Sequence, residues 1–145
     1  NREDLPKVRV RFYGRRDNLP KNVVEKMEMV EERTRDNDEY FLNIMLNYGG
    51  RPELLAWVRS VAEAYKRGET GLEEKDVLRY LWTGDLPEPD VIIRTSGEMR
   101  LSGFMPWHSG YSELFFVKKL WPDFSKEDFA AVIEEYKRRE RRFGR

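Results

Sequence analysis

Two arginines and three hydroxyl side chains surround one glycine in segment 94–102, which reads RTSGEMRLS. The segment directly follows Val91-Ile92-Ile93, a short apolar run that predicts a buried strand. Polar residues at the carboxyl end of such a strand lie where open α/β sheets usually bind ligands. The planar guanidinium groups of Arg94 and Arg100 stay charged at every working pH and suit paired phosphate oxygens. The segment therefore predicts an anion site and favours a diphosphate over a neutral ligand.

A second interpretation of the same segment is an ordinary surface network. Arg94 and Arg100 would then form ion pairs with Glu98 and Glu113, and exposed pairs of this kind contribute only about 0–1 kcal/mol each. Spacing alone leaves the diphosphate site and the ion-pair network as open alternatives.

Three ordered blocks of the chain resemble the cis-prenyltransferases, the undecaprenyl diphosphate synthase family. The blocks are segment 94–104 with Trp107 and 111–114 after it, segment 47–51 (NYGGR) and segment 139–144 (RERRFG). Three blocks in order are far more specific than one short motif. The resemblance implies an α/β fold in which helices flank a parallel sheet, as in cis-prenyl synthases.

The resemblance also implies which residues hold the substrate. Arg94, Arg100 and Ser102 match the residues that hold isopentenyl diphosphate, and Leu101 contributes its backbone amide. Their task is to position the substrate and to stabilise charge.

The resemblance also implies a metal ligand and a role for the end of the chain. Glu113 matches a ligand of Mg²⁺, an ion that takes one or two carboxylates together with phosphate oxygens. Met99 departs from the family pattern, in which histidine or glutamine is frequent, and its thioether is a poor ligand for Mg²⁺. Arg142 and Gly144 match an Arg-x-Gly ending that crosses the subunit boundary of a homodimer toward isopentenyl diphosphate.

One family block does not occur in this chain. It has the form His-x-Met-Asp-Gly-Asn, and its aspartate handles the metal and the allylic diphosphate. We therefore expect residues 1–145 to be the C-terminal portion of a single cis-prenyltransferase domain, without the N-terminal strands and helices and inactive alone. The complete protein would condense isopentenyl diphosphate with an allylic diphosphate into a long cis-polyprenyl diphosphate.

Two other functions remain as alternatives. The first is a non-catalytic subunit that completes a partner's site, although the retained RTSGE segment argues against it. The second is a diphosphate-binding or interaction domain whose catalytic sites have decayed.

The amino-acid composition indicates which partners and which cellular location to expect. The 145 residues carry 27 basic and 27 acidic side chains, so a net charge of zero gives no general attraction to nucleic acid. The absence of cysteine fits a reducing compartment. No apolar run approaches the roughly 18 residues that a membrane span needs. We expect a cytoplasmic protein whose contact with membranes is at most peripheral.

Strand and helix patterns alternate along the chain, which predicts a parallel sheet with helical crossovers. Predicted strands are 8–14, 40–46, 91–93 and 114–117, and predicted helices begin near Pro20, Pro52, Glu73 and Ser125. Because segment 40–46 is almost continuously apolar, it is expected to be covered on both faces. The apolar positions 54, 55, 58, 61, 62 and 65 are expected to face inward. A sheet that lacks its first strands is also expected to expose apolar surface and an unpaired edge.

Two remaining features have simpler interpretations than chemistry. Segment 47–51 has glycines before a helix, as phosphate loops do, but a plain strand-to-helix turn is favoured because the full phosphate-loop spacing with its lysine is absent. His108, the only histidine, is expected to be a packed or surface residue.

Overall fold

A computed structural model describes residues 7–69 and 73–139. The helices and strands are β1 (Val8–Tyr13), α1 (Lys21–Thr34), β2 (Tyr40–Met45), α2 (Gly50–Lys66), α3 (Glu74–Leu78), β3 (Val91–Arg94), β4 (Glu113–Phe116) and α4 (Lys126–Arg138). Residue contacts group the chain into two compact units, Asn1–Asp85 and Leu86–Arg145. Each unit contains one parallel pair of strands, which confirms the predicted α/β class and parallel pairing. None of the described helices is long and apolar enough to cross a membrane.

In the first unit, side chains of α1 and of the turn after it occupy one edge of β1. The β1–β2 register runs from Val8 opposite Tyr40 to Tyr13 opposite Met45. On the other edge, the Val10 N–H donates to Thr34 Oγ1 at 3.0 Å and the Phe12 N–H donates to Glu31 Oε1 at 2.8 Å. These side chains supply acceptors that a further strand would otherwise provide.

The turn after β1 requires glycine at position 14. Gly14 has a φ of +132°, and a Cβ there would lie 2.1 Å from the carbonyl oxygen of Leu46. Any other residue would therefore force the ends of β1 and β2 apart.

The expectation that β2 is covered on both faces is wrong for the first half of the strand. Tyr40 and Phe41 are 60% and 61% exposed. In α2, the expected inward positions Leu55, Val58 and Tyr65 are exposed as well. Within the described residues β2 pairs only with β1, and the expected exposed apolar surface is present on β2 and α2.

The face that α2 buries instead carries a carboxylate. Glu53 is 1% exposed and accepts hydrogen bonds from the Tyr48 hydroxyl at 2.5 Å, the Thr83 N–H at 3.0 Å and the Thr83 hydroxyl at 2.7 Å. These hydrogen bonds tie the start of α2 to the chain after α3. They also supply the donors that a buried carboxyl group needs.

Replacing Glu53 with alanine should destabilise the first unit. Three donors would lose their acceptor, and because hydrogen bonds to charged groups contribute about 1.5–3 kcal/mol each, we expect a loss of roughly 3 kcal/mol or more. Urea unfolding of the complete protein measures this change. Glu63→Ala, at an exposed position paired with Lys66, is the matched control and should change stability by about 0.5 kcal/mol or less. Equal midpoints for the two variants would contradict the anchoring role of Glu53.

In the second unit, β3 and β4 run parallel, with Val91 opposite Glu113 and Arg94 opposite Phe116. The buried apolar residues of this unit are Ile92, Met105, Phe115 and Val132. This register matters for function, because it decides which predicted site residues lie at the same end of the strands.

The N-cap predicted for the last helix is present. Ser125 and Asp128 exchange hydrogen bonds across the first turn of α4, with the Ser125 N–H donating at 2.8 Å. Lys119 Nζ also donates to both Asp128 oxygens at 2.8 Å, and this contact lowers the pKa of Asp128 to about 2. The start of α4 is therefore held by a carboxylate that stays charged to low pH.

Candidate diphosphate site

A cavity of about 380 Å³ lies at the carboxyl end of β3. Its lining consists of Ile92, Ile93, Arg94, Thr95, Ser96, Leu101 and Phe104. One cation and two hydroxyls therefore share the cavity with apolar side chains. This combination suits a small ligand that has an anionic head and a hydrocarbon part.

The loop after β3 is fastened to the chain that follows β4. The Ser96 N–H donates to the Lys119 carbonyl at 2.7 Å, and the Gly97 N–H donates to the Val117 carbonyl at 2.9 Å. Ser96 has a φ of 74°, a left-handed conformation that is costly for a residue other than glycine. Ser102 is also left-handed, with a φ of 51°. Such local strain persists where the surrounding structure enforces it, and it is concentrated at functional sites.

The two loop arginines have different surroundings. Arg94, the last residue of β3, is partly buried in the cavity wall, and within the described residues no carboxylate lies within 4 Å of it. Arg100 is 64% exposed and forms an ion pair with Glu98. The ion pair between Arg100 and Glu98 that the surface-network interpretation predicts is therefore present. The ion pairs that this interpretation predicts for Arg94 do not occur among the described residues.

The structure brings only two of the four predicted loop residues into the cavity wall. These are Arg94 and Leu101, and the Leu101 carbonyl accepts from the Phe104 N–H at 3.0 Å to close a turn. Arg100 and Ser102 lie on the exposed part of the same loop.

Glu113, the predicted metal ligand, lies at the other end of the strand pair. It is opposite Val91, three residues before the position opposite Arg94, which corresponds to about 10 Å along the strand. Its carboxylate contacts neither loop arginine. Instead, Glu113 Oε2 accepts from Arg139 Nη1 at 2.7 Å.

A single carboxylate such as that of Glu113 is chemically compatible with Mg²⁺. Within the described ranges, no group of three or more histidine, cysteine or acidic side chains could hold a metal ion. Mg²⁺ needs no such group, because one or two carboxylates with phosphate oxygens and water suffice. The Glu113 side chain is 24% exposed, and its Oε2 is held by Arg139. Met99 is 78% exposed, and its side chain has no oxygen to offer.

The remaining predictions concern His108, segment 47–51 and the end of the chain. His108 is 3% exposed, as expected for a packed residue. Asn47, in the segment that resembles a phosphate loop, donates from Nδ2 to the Arg15 carbonyl at 2.8 Å and so stabilises a strand-to-helix turn. Arg142 and Gly144 lie outside the described residues.

Sequence reasoning did not single out Arg139. The residue appeared only as the first member of the basic block at the chain end. Its position at the end of the last predicted helix could have identified it. A helix that follows a strand and runs antiparallel to it brings its last residues close to the start of that strand.

A second cavity of about 600 Å³ lies in the first unit and includes Arg11, Asp85 and Glu31. Its lining carries four carboxylates against three arginines, and within it Arg11 pairs with Asp85 and Arg35 pairs with Glu32 at 2.8 Å. It is therefore a weaker candidate for an anion than the cavity beside Arg94.

Comparison with known proteins gives a family match over almost the whole chain. The family model for undecaprenyl diphosphate synthase, a prenyltransferase family, matches residues 2–144. An isoprenyl transferase from Thermotoga maritima is 52% identical over 139 residues, which cover 95% of this chain and 60% of the relative. A tritrans,polycis-undecaprenyl-diphosphate synthase (geranylgeranyl-diphosphate specific) from Methanocaldococcus jannaschii is 46% identical over 143 residues, with coverage of 95% and 51%. The chain thus spans a little over half the length of these relatives.

Solved structures show the same fold. Lavandulyl diphosphate synthase from Lavandula x intermedia, in complex with dimethylallyl diphosphate, has a TM-score of 0.90 and 28% identity over 95% of this chain and 61% of that one. A probable undecaprenyl diphosphate synthase from Campylobacter jejuni has a TM-score of 0.81 and 34% identity, with coverage of 96% and 64%.

Proposed function

Because this chain belongs to the undecaprenyl diphosphate synthase family of prenyltransferases, we propose that the complete protein condenses isopentenyl diphosphate with an allylic diphosphate. The product is a long cis-polyprenyl diphosphate. Residues 1–145 form the C-terminal portion of the prenyltransferase domain. They supply the isopentenyl diphosphate clamp and one ligand of Mg²⁺.

The cavity beside Arg94 is the observation that carries this proposal. Arg94 and two hydroxyls provide donors for a diphosphate, and Leu101 and Phe104 provide apolar contact for a five-carbon chain. The rigid loop holds these groups in place before the substrate arrives. Preorganised donors of this kind stabilise charge without reorganisation during the reaction.

The residues of this chain position the substrate. Arg94 and Arg100 neutralise the diphosphate, so that the alkene of isopentenyl diphosphate faces the allylic partner in a fixed orientation. Glu113 would hold Mg²⁺, which would supply positive charge to stabilise the departing diphosphate of the allylic substrate. Loss of a proton from the condensed chain then leaves the cis double bond.

The activity itself is tested with the complete protein, isopentenyl diphosphate, Mg²⁺ and one of three primers: geranyl, farnesyl or geranylgeranyl diphosphate. Mass spectrometry should show products that grow by five-carbon units, and NMR should show new double bonds that are cis. Binding of isopentenyl diphosphate without elongation would instead support the non-catalytic alternatives.

The proposal includes a homodimer with shared sites. The Arg-x-Gly ending, Arg142 and Gly144, would reach the diphosphate site of a second copy, as the family resemblance implies. A two-fold pair would place two such sites reciprocally.

Mixing two defective forms tests the shared site. The first lacks the residues after Glu140, and the second carries Arg94→Ala; each should be weak alone. A mixed dimer would have one site with both defects and one with neither, so activity should recover on mixing. If fully exchanged mixtures recover no activity, the shared site is wrong.

A further inference from the structure

Arg139, at the end of α4, contacts three consecutive residues of β4. Its Nη1 donates to Glu113 Oε2 at 2.7 Å and to the Leu114 carbonyl at 3.2 Å. Its guanidinium carbon lies 3.9 Å from the centre of the Phe115 ring. Glu135, one helical turn earlier, lies 3.7 Å from Nε.

These contacts define the plane and the position of the guanidinium group. Side chains two residues apart on a strand share one face, so Glu113 and the buried Phe115 form a single surface that Arg139 covers. Stacking on a ring and donating to a carboxylate at once requires a planar cation. Lysine retains the charge but not this geometry.

From this arrangement we propose that Arg139 is a positioning residue for Glu113. It binds one carboxylate oxygen and thereby orients the carboxylate toward the metal and the diphosphate, without touching substrate itself. Removing outer partners that hold a ligating carboxylate in this way typically lowers metal affinity by about ten- to a hundred-fold. The inference depends on the proposed function, because it assumes that Glu113 is a ligand of Mg²⁺.

The alternative roles of Arg139 predict different results. As a structural latch, it would affect stability but not metal binding. As a competitor of the metal for Glu113, its removal would make Mg²⁺ bind more tightly. A positioning role requires that its removal make Mg²⁺ bind more weakly.

The test measures Mg²⁺ binding by calorimetry in the complete protein with isopentenyl diphosphate alone, so that no turnover occurs. Arg139→Gln should weaken Mg²⁺ binding by about ten- to a hundred-fold, and Arg139→Lys should fall between this variant and the wild type. Arg138→Gln, which removes a neighbouring arginine that is 74% exposed, is the matched control and should leave binding unchanged. Wild-type or tighter binding in Arg139→Gln would overturn the proposal. If Arg139→Gln does not fold, Mg²⁺ binding is measured in Arg139→Lys instead. Wild-type or tighter binding in that variant would then overturn the proposal.

A double variant separates this inference from the proposed function. In the Glu113→Gln background, adding Arg139→Gln should weaken Mg²⁺ binding by less than about twofold, because the residues act as one unit. Fully additive losses would overturn the positioning role of Arg139. If Glu113→Gln alone leaves Mg²⁺ binding unchanged, the metal role of Glu113 fails, and the positioning role fails with it.

Discussion

Arg100→Ala in the complete protein is expected to lower kcat/KM for isopentenyl diphosphate by about ten- to a hundred-fold, because a charge-assisted contact contributes about 1.5–3 kcal/mol. Arg94→Ala should have an effect at least as large. Arg94 is half-buried in the cavity wall, where no described carboxylate competes for it, whereas Arg100 already pairs with Glu98. Steady-state kinetics with a saturating allylic primer measure both changes.

Controls separate a substrate clamp from a surface ion pair. Lysine at either position should restore only part of the activity, because it lacks the paired donors of arginine. Arg33→Ala, which removes the same charge from the exposed last turn of α1, should have no kinetic effect. If Arg100 served only to pair with Glu98, Glu98→Gln and Arg100→Ala would change the kinetics equally. Unchanged kinetics in Arg100→Ala would rule out its part in the clamp.

The second large effect concerns Glu113. In the complete protein, Glu113→Gln should reduce turnover and raise the Mg²⁺ concentration needed for half-maximal activity by about tenfold or more, since one charged oxygen ligand is lost while the shape is kept. The measurement is a titration of activity with Mg²⁺ at saturating concentrations of both substrates.

Stability must be measured alongside this titration, because Glu113 also pairs with Arg139. A lower melting temperature with an unchanged Mg²⁺ requirement would show that Glu113 is structural only. Glu134→Gln, at an exposed glutamate of α4 that pairs with Lys137, is the control and should follow the wild-type titration. These results distinguish loss of a ligand from loss of a salt bridge.

The local elements and the loop that carries the candidate site could be predicted from the amino-acid sequence alone. Alternation along β1, the apolar run of β3 and the Ser125 cap of α4 all depend on neighbours within a few residues. Periodicity and capping are short-range effects, so they can be read without knowledge of the fold. The arginine loop was identifiable for the same reason, since its residues are consecutive and directly follow a strand.

Tertiary structure alone decided which face each element buries and which charges meet. The apolar stripe of α2 predicted an inward face, yet α2 buries Glu53, which is satisfied by Thr83, thirty residues away. Glu113 was expected beside Arg94 or Arg100, but the parallel register puts it at the opposite end of the strands and pairs it with Arg139, 26 residues later. Such contacts depend on strand register and helix docking, which are set by the packing of distant segments and are not recorded in local spacing.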